Sequence, residues 1–196
     1  MKELKVRITL TEELLGTANS DPHIHEEYIA SKAPDAPSRE EEVEALGIEG
    51  VVDKQKTIFP RNADGEPIVW DYQIKGFFKD TCSALRKVTG TRSSKVKAFK
   101  KEIDGLVFPE PRQIKINFEG EVGNCQRPLR ASTAQGERIA LANSETIPAG
   151  ATLEFTVVCL ADAYYEIVKE WLDYGRYRGL GQWRNSGKGR FTWEEL

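Results

Sequence analysis

The chain has 196 residues, a formal net charge of −3 and a pI near 5.6, with 39% hydrophobic residues. That length supports one domain with its own core, and the slightly acidic balance excludes a protein that coats nucleic acid with its whole surface, leaving room only for a local basic groove. Cys82, Cys125 and Cys159 are far apart and form no Cys-x-x-Cys pair, which excludes a zinc ribbon and a disulfide framework and fits reduced thiols.

Leu4, Val6, Ile8 and Leu10 alternate with Lys5, Arg7 and Thr9, which predicts a half-buried strand. Leu14 to Ser20 turns the chain. From Asp21 to residue 56 the composition is polar and rich in Pro and Glu, and nine acidic residues lie between Glu26 and Asp53 against Lys32 and Arg39. We read 21–56 as an acidic loop inserted in a single domain spanning 1–196, with one short helix from Ser38 to Leu46. Thr57 to Phe59 is a short extended piece. Tyr72 to Val88 is a first helix, with Ile74, Phe77, Phe78, Leu85 and Val88 near one face and Lys75 and Gly76 in its first turn. Seven basic and no acidic residues lie between Arg86 and Lys101, within which a further short helix fits. A charge run is most often a solvated face. Residues 106–108, 114–118, 138–141 and 153–160 read as strands, and Gln126 to Arg130 as a loop carrying Arg127 and Arg130. Ala163 to Tyr174 is a second helix with Tyr164, Ile167, Val168, Trp171 and Leu172 at core spacing, and Arg190 to Trp193 is a last strand. The order βαββαβ predicts an α+β fold of the ferredoxin-like (RRM-like) type, an antiparallel sheet with helices on one face.

The last thirty residues carry the most pointed signal. Gly179-Leu180-Gly181 is followed by five residues and then Gly187-Lys188-Gly189, with Arg176, Arg178, Arg184, Lys188 and Arg190 as five basic residues and no acid. Glycine lets a backbone approach a phosphate closely, and cations beside it favour an anion. The segment is not a P-loop, which needs four residues between its glycines and Ser or Thr after the lysine. Nor is it a dinucleotide fingerprint, which leaves a strand and opens a helix. A tight turn with no ligand fits the same glycines. Trp183, inside the loop, either stacks a base or plugs the gap between helix and sheet.

These segments resemble the RAMP superfamily, the RNA-binding subunits of CRISPR effector complexes, which carry ferredoxin-like folds. Gly179-x-Gly181-x5-Gly187-x-Gly189 fits that superfamily's glycine-rich loop without a gap. Glu66 to Arg86, with Lys75-Gly76, resembles the "PGSSLKGxLR" segment that opens the first helix, except that Val69-Trp70-Asp71-Tyr72 stands where the glycine turn would be. Leu10 to Thr17 and Glu145 to Phe155 resemble the strands before the insertion and before the last helix. The resemblance implies RNA-backbone contacts by Lys75, Gly76, Lys79, Arg184, Lys188 and Arg190 and by the loop glycines. Arg127 and Arg130 add two further cations, and Asp71 serves either at the binding turn or only as a helix cap. Replacing Arg184 and Lys188 with alanine is then expected to weaken binding and spare the fold.

Some relatives cut RNA with a metal held by an aspartate near the first helix. Asp53 matches that position only with a two-residue slip, and Asp21 less well. His23 and His25 have no general-acid partner or third metal ligand in view. We therefore expect no catalysis and no cofactor. The expected partner is a nucleotide-type ligand or single-stranded RNA, engaged by a homo-oligomer. The acidic pI and insertion favour a stand-alone, phage- or mobile-element-type protein that captures such a ligand or a host defence component. The other reading is a backbone subunit coating guide RNA. No apolar run approaches a membrane span and Met1 to Ile8 has no signal core, so a cytoplasmic location is expected.

Overall fold

A computed structural model describes residues 1–20, 56–133 and 136–196, and for 129–133 and 136–141 it describes the backbone. Asp21, His23, His25, Asp53 and the short helix expected at Ser38 lie outside the described residues. In chain order the described elements are β1 (Lys2–Leu10), β2 (Leu14–Leu15), β3 (Ala18–Asn19), β4 (Thr57–Ile58), β5 (Ile68–Trp70), α1 (Asp71–Leu85), α2 (Phe99–Leu106), β6 (Val107–Glu110), β7 (Gln113–Asn117), β8 (Gly123–Thr133), β9 (Gly136–Ile147), β10 (Thr152–Cys159), α3 (Asp162–Asp173) and β11 (Phe191–Glu195).

The main sheet runs β11-β1-β10-β7-β5, with β6 also on β10, and every pair in it is antiparallel. β6 and β7 together make one strand position beside β10: Thr156 to Cys159 pair with β6, and Thr152 and Leu153 with β7. Counted as β1, β6/β7, β10 and β11, the four strands stand in the order 4-1-3-2. The fold is therefore the expected ferredoxin-like α+β arrangement. Period two places Leu4, Val6, Ile8 and Leu10 on one face, where they are buried with Leu153, Phe155 and Val157 of β10. Ile74, Phe77, Phe78 and Cys82 of α1 and Tyr164, Ile167, Val168, Trp171 and Leu172 of α3 close the same core. Phe78 meets Trp171 at 5.4 Å between ring centroids, and Phe77 meets Phe191 at 5.3 Å, both tilted as aromatic pairs prefer. On the opposite face Arg7 reaches Glu154 (2.7 Å) and Glu194 (2.9 Å) in the open.

The sequence reading missed one large feature. Between β7 and β10 the chain extends a long antiparallel hairpin, β8–β9, paired from Gly123↔Thr146 to Thr133↔Gly136. Its base joins β2, β4 and β3 in a second sheet. Gln126 to Arg130, expected as a loop, lies in β8. Among the described residues β8 pairs only with β9, so it is an edge strand, where proline is tolerated. The strand expected at 138–141 is the middle of β9. The basic stretch before α2 holds a 3-10 turn, Ser93–Lys95, with α2 beginning at Phe99.

Candidate nucleic-acid interface

The glycine-rich segment leaves α3 through a 3-10 turn and crosses its own return limb. At Gly179 any Cβ would run into the backbone of Gly189 and Arg190, and at Gly189 into the Leu180 carbonyl. Leu180 N–H donates to the Gly189 carbonyl (2.9 Å), and Gly189 N–H donates to the Glu13 carbonyl beside β2 (2.8 Å). Gly181, at φ 72°, sits against the Leu15 carbonyl and the Leu14 side chain. Gly187, at φ 86°, ends the short 3-10 turn Arg184–Ser186 and donates its N–H to the Arg184 carbonyl (3.0 Å). These glycines therefore serve close backbone approach and left-handed turns. The N–H groups of Leu180, Gly187 and Gly189 are already occupied by carbonyls.

The crossing holds out a lobe, Gln182 to Lys188, against the base of the β8–β9 hairpin. Arg127, on β8, is only 6% exposed. Its Nη1 donates to Ser144 Oγ (3.3 Å) and its Nη2 to Gln182 Oε1 (3.1 Å). Its Nε is shielded and has no partner among the described residues. Gln182 Nε2 in turn donates to the Gly16 carbonyl (2.9 Å), so one polar chain ties hairpin, lobe and β2 exit together. The guanidinium lies 4.6 Å from the centre of the Trp183 ring. Trp183 is 37% exposed and adopts φ 55°, ψ 32°, the one non-glycine residue with positive φ among the described residues. A bulky side chain is uncommon in that conformation, which costs about 1 kcal/mol.

The cations around this centre are differently matched. Arg178 Nε (2.7 Å) and Arg184 Nη1 (3.0 Å) share Asp80 Oδ2 on α1, and Arg178 Nη1 also reaches Asn185 Oδ1 (2.8 Å). Lys188 pairs with Glu13, whose hydrogen bond holds the ammonium pKa above its ordinary value. The Arg190 guanidinium lies beside Gly187, and its Nε is shielded without a partner among the described residues. Among the described residues neither Arg127 nor Arg190 has a carboxylate partner. Arg130 stands on β8 opposite Ile139, and its side chain lies outside the described residues.

Lys75, Gly76 and Lys79 belong to a separate group. α1 starts at Asp71 with Trp70 as its cap, and Trp70 N–H donates to Gln73 Oε1 (2.8 Å); Lys75 and Gly76 are thus in the second turn, not the first, and Asp71 is not the cap. Lys75 Nζ donates to the Asp104 carbonyl (3.3 Å) and lies 4.3 Å from the Phe108 ring centre, and burial pushes its pKa down. Lys79 pairs with Asp104 (2.6 Å). A Cβ on Gly76 would meet nothing within 4 Å. Where the superfamily's glycine turn would lie, Trp70 and Tyr72 stack at 6.1 Å with 13° between planes, and Arg112 lies 5.8 Å from the Trp70 ring centre.

Sequence reasoning named Arg127, Trp183, Arg184 and Lys188 but not the residues that position them: Gln182, Ser144, Asp80 and Glu13. Gln182 had a signal, lying between Gly181 and Trp183; the other three are far away in sequence and had none. Among the described residues no three His, Cys, Asp or Glu side chains gather as a metal-holding group, and no helix is long and apolar enough to cross a membrane.

No protein-family model matches the chain, and no curated protein matches it. Among solved structures it is similar to a chain of the type III-B Cmr-beta complex bound to cognate target RNA, with a TM-score of 0.53 and 11% identity. That match covers 100% of this chain and 59% of the other, so this chain spans a little over half the length of its neighbour. The likeness is one of fold, the ferredoxin-like α+β fold that the resemblance to the RAMP superfamily implies.

Proposed function

We propose that this protein is a non-enzymatic RAMP-type binder of single-stranded RNA, and that the Arg127–Trp183 centre is where a nucleotide is held. The carrying observation is the pair itself. A nearly buried guanidinium, whose hydrogen-bond partners among the described residues are neutral, lies against a half-exposed indole kept in a left-handed backbone conformation. An aromatic face offers stacking to any base, worth about 1–3 kcal/mol in single-strand binders, while a guanidinium with no carboxylate partner among the described residues favours a phosphate. The fold, shared with a chain of an RNA-bound complex, supports the same reading. Several copies along one strand would make it a backbone-type protein.

The test is anisotropy of a labelled single-stranded RNA of about 40 nucleotides titrated across a salt series, with stoichiometry from sedimentation. Steep loss of affinity with salt and more than one copy per strand are expected. Absence of binding at low salt overturns the proposal. The net charge of −3 and pI near 5.6 favour a second form of it, a stand-alone protein whose centre captures a small nucleotide or which engages a host defence component. A mononucleotide that binds as tightly as the long RNA would decide for that form.

A further inference from the structure

The basic stretch Arg86–Lys101 has no part in the centre described above. It contributes seven cations and no acid to a chain whose overall charge is −3. Lys87, Lys95, Lys97, Lys100 and Lys101 are all exposed, and among the described residues none of them forms an ion pair. Arg92 meets Glu166 only at 3.6 Å in the open, and Arg86 lies 5.3 Å from the Phe99 ring centre.

This surface is built rather than left loose. Glu170 of α3 accepts hydrogen bonds from Arg92 N–H (2.7 Å), Ser93 N–H (3.0 Å) and Ser93 Oγ (2.6 Å), and Trp171 Nε1 donates to the same hydroxyl (2.9 Å). Thr91 Oγ1 donates to the Leu85 and Val88 carbonyls (2.8 and 2.9 Å). Glu170 thus spends its carboxylate on the loop backbone and Ser93, and Glu166 meets only Arg92, so among the described residues neither pairs with a lysine of the stretch. Val96 is extended (φ −82°, ψ 113°) and 5% exposed, so it anchors in the core while Lys95 and Lys97 flank it, their Cα atoms about 6–7 Å apart. Lys100 and Lys101 stand in the first turn of α2 beside Glu102, whose Oε1 accepts the Ala98 N–H (3.0 Å), so that carboxylate too is engaged with backbone rather than with a lysine. The stretch begins at the end of α1, six residues beyond Asp80, the anchor of Arg178 and Arg184, or about 9 Å along the helix.

We infer that Arg86–Lys101 is a second RNA-contact surface, which takes the phosphodiester backbone of a strand longer than the Trp183 centre engages. The inference rests on the function proposed above. Phosphate backbone fits better than an acidic protein, because protein interfaces have aromatic, lysine-poor centres, whereas this surface is lysine-rich and its one ring partner among the described residues, Phe99, lies under Arg86.

The test compares the wild-type chain with the variant Lys95→Gln/Lys97→Gln/Lys100→Gln/Lys101→Gln, its fold checked by circular dichroism, on single-stranded RNAs of about 6 and about 30 nucleotides across a salt series. The variant is expected to bind the short strand like wild type and to lose tenfold or more on the long one, with its salt slope reduced by about 3. If wild type binds both strands and the variant is unchanged on the long one, this inference falls and the proposed function stands. If wild type binds neither strand, the proposed function falls first. A variant that keeps RNA binding but loses binding to polyglutamate overturns the RNA assignment in favour of an acidic protein.

Discussion

Replacing Trp183 with glycine separates the two roles the indole can play. Truncating a fully buried tryptophan costs about 3–5 kcal/mol, and with 37% of this residue in water the share is about 2–3 kcal/mol, the 4.6 Å contact with Arg127 included. Glycine at φ 55° also removes the left-handed penalty of about 1 kcal/mol. The net loss is therefore about 1–2 kcal/mol, which lowers the Tm of a domain this size by about 2–8 °C. Loss of base stacking removes about 1–3 kcal/mol of binding, which raises Kd about 5- to 150-fold. Thermal unfolding and RNA anisotropy on the same preparation read both numbers. A Kd unchanged by Trp183→Gly refutes the stacking role. A stability loss above about 4 kcal/mol makes the indole an internal plug.

Two glycines nominated for the same role are expected to respond oppositely to alanine. Gly189→Ala takes the strain of φ 69°, meets the Leu180 carbonyl and disturbs two backbone hydrogen bonds, so urea unfolding is expected to show a loss of about 3 kcal/mol. Gly76→Ala, in a helix interior with open space around it, is expected to add about 0.5–1 kcal/mol of stability, and it weakens RNA binding only if a strand lies against that helix. Thiol labelling at pH 8 is expected to reach Cys125, which is partly exposed, before the buried Cys82 and Cys159, with all three reacting in denaturant. Burial pushes the Cys159 thiol up from 9.0 to about 11. Its neutral form therefore supports the fold fully below pH 9, and that support is lost as pH rises towards 11, where the unfolded chain ionises first. A stability profile flat from pH 8 to 11 would contradict this.

The chain's local periodicities were legible. Leu4, Val6, Ile8 and Leu10 announce a strand with one buried face, and Tyr164, Ile167, Val168, Trp171 and Leu172 a helix stripe, because alternation and helical spacing are set between neighbours in sequence. Together with chain order they were enough for the ferredoxin-like class and for α3 leading into the glycine segment. The hairpin was not legible. Gly123 to Thr133 has no clean alternation and includes Pro128, and its strand character comes only from pairing with β9. The glycines were visible as a pattern, yet that Gly179 and Gly189 cross, and that Gly189 donates to Glu13, followed only from the folded chain. The same holds for the centre. Sequence by itself determined which residue types were present: an indole, guanidinium groups and glycines between a helix and a strand. Only tertiary structure decided that Arg127 reaches Gln182 and Trp183, more than fifty residues away, while Lys75 and Lys79 turn to Asp104. A contact between distant residues depends on the register of every strand between them, which no local pattern records.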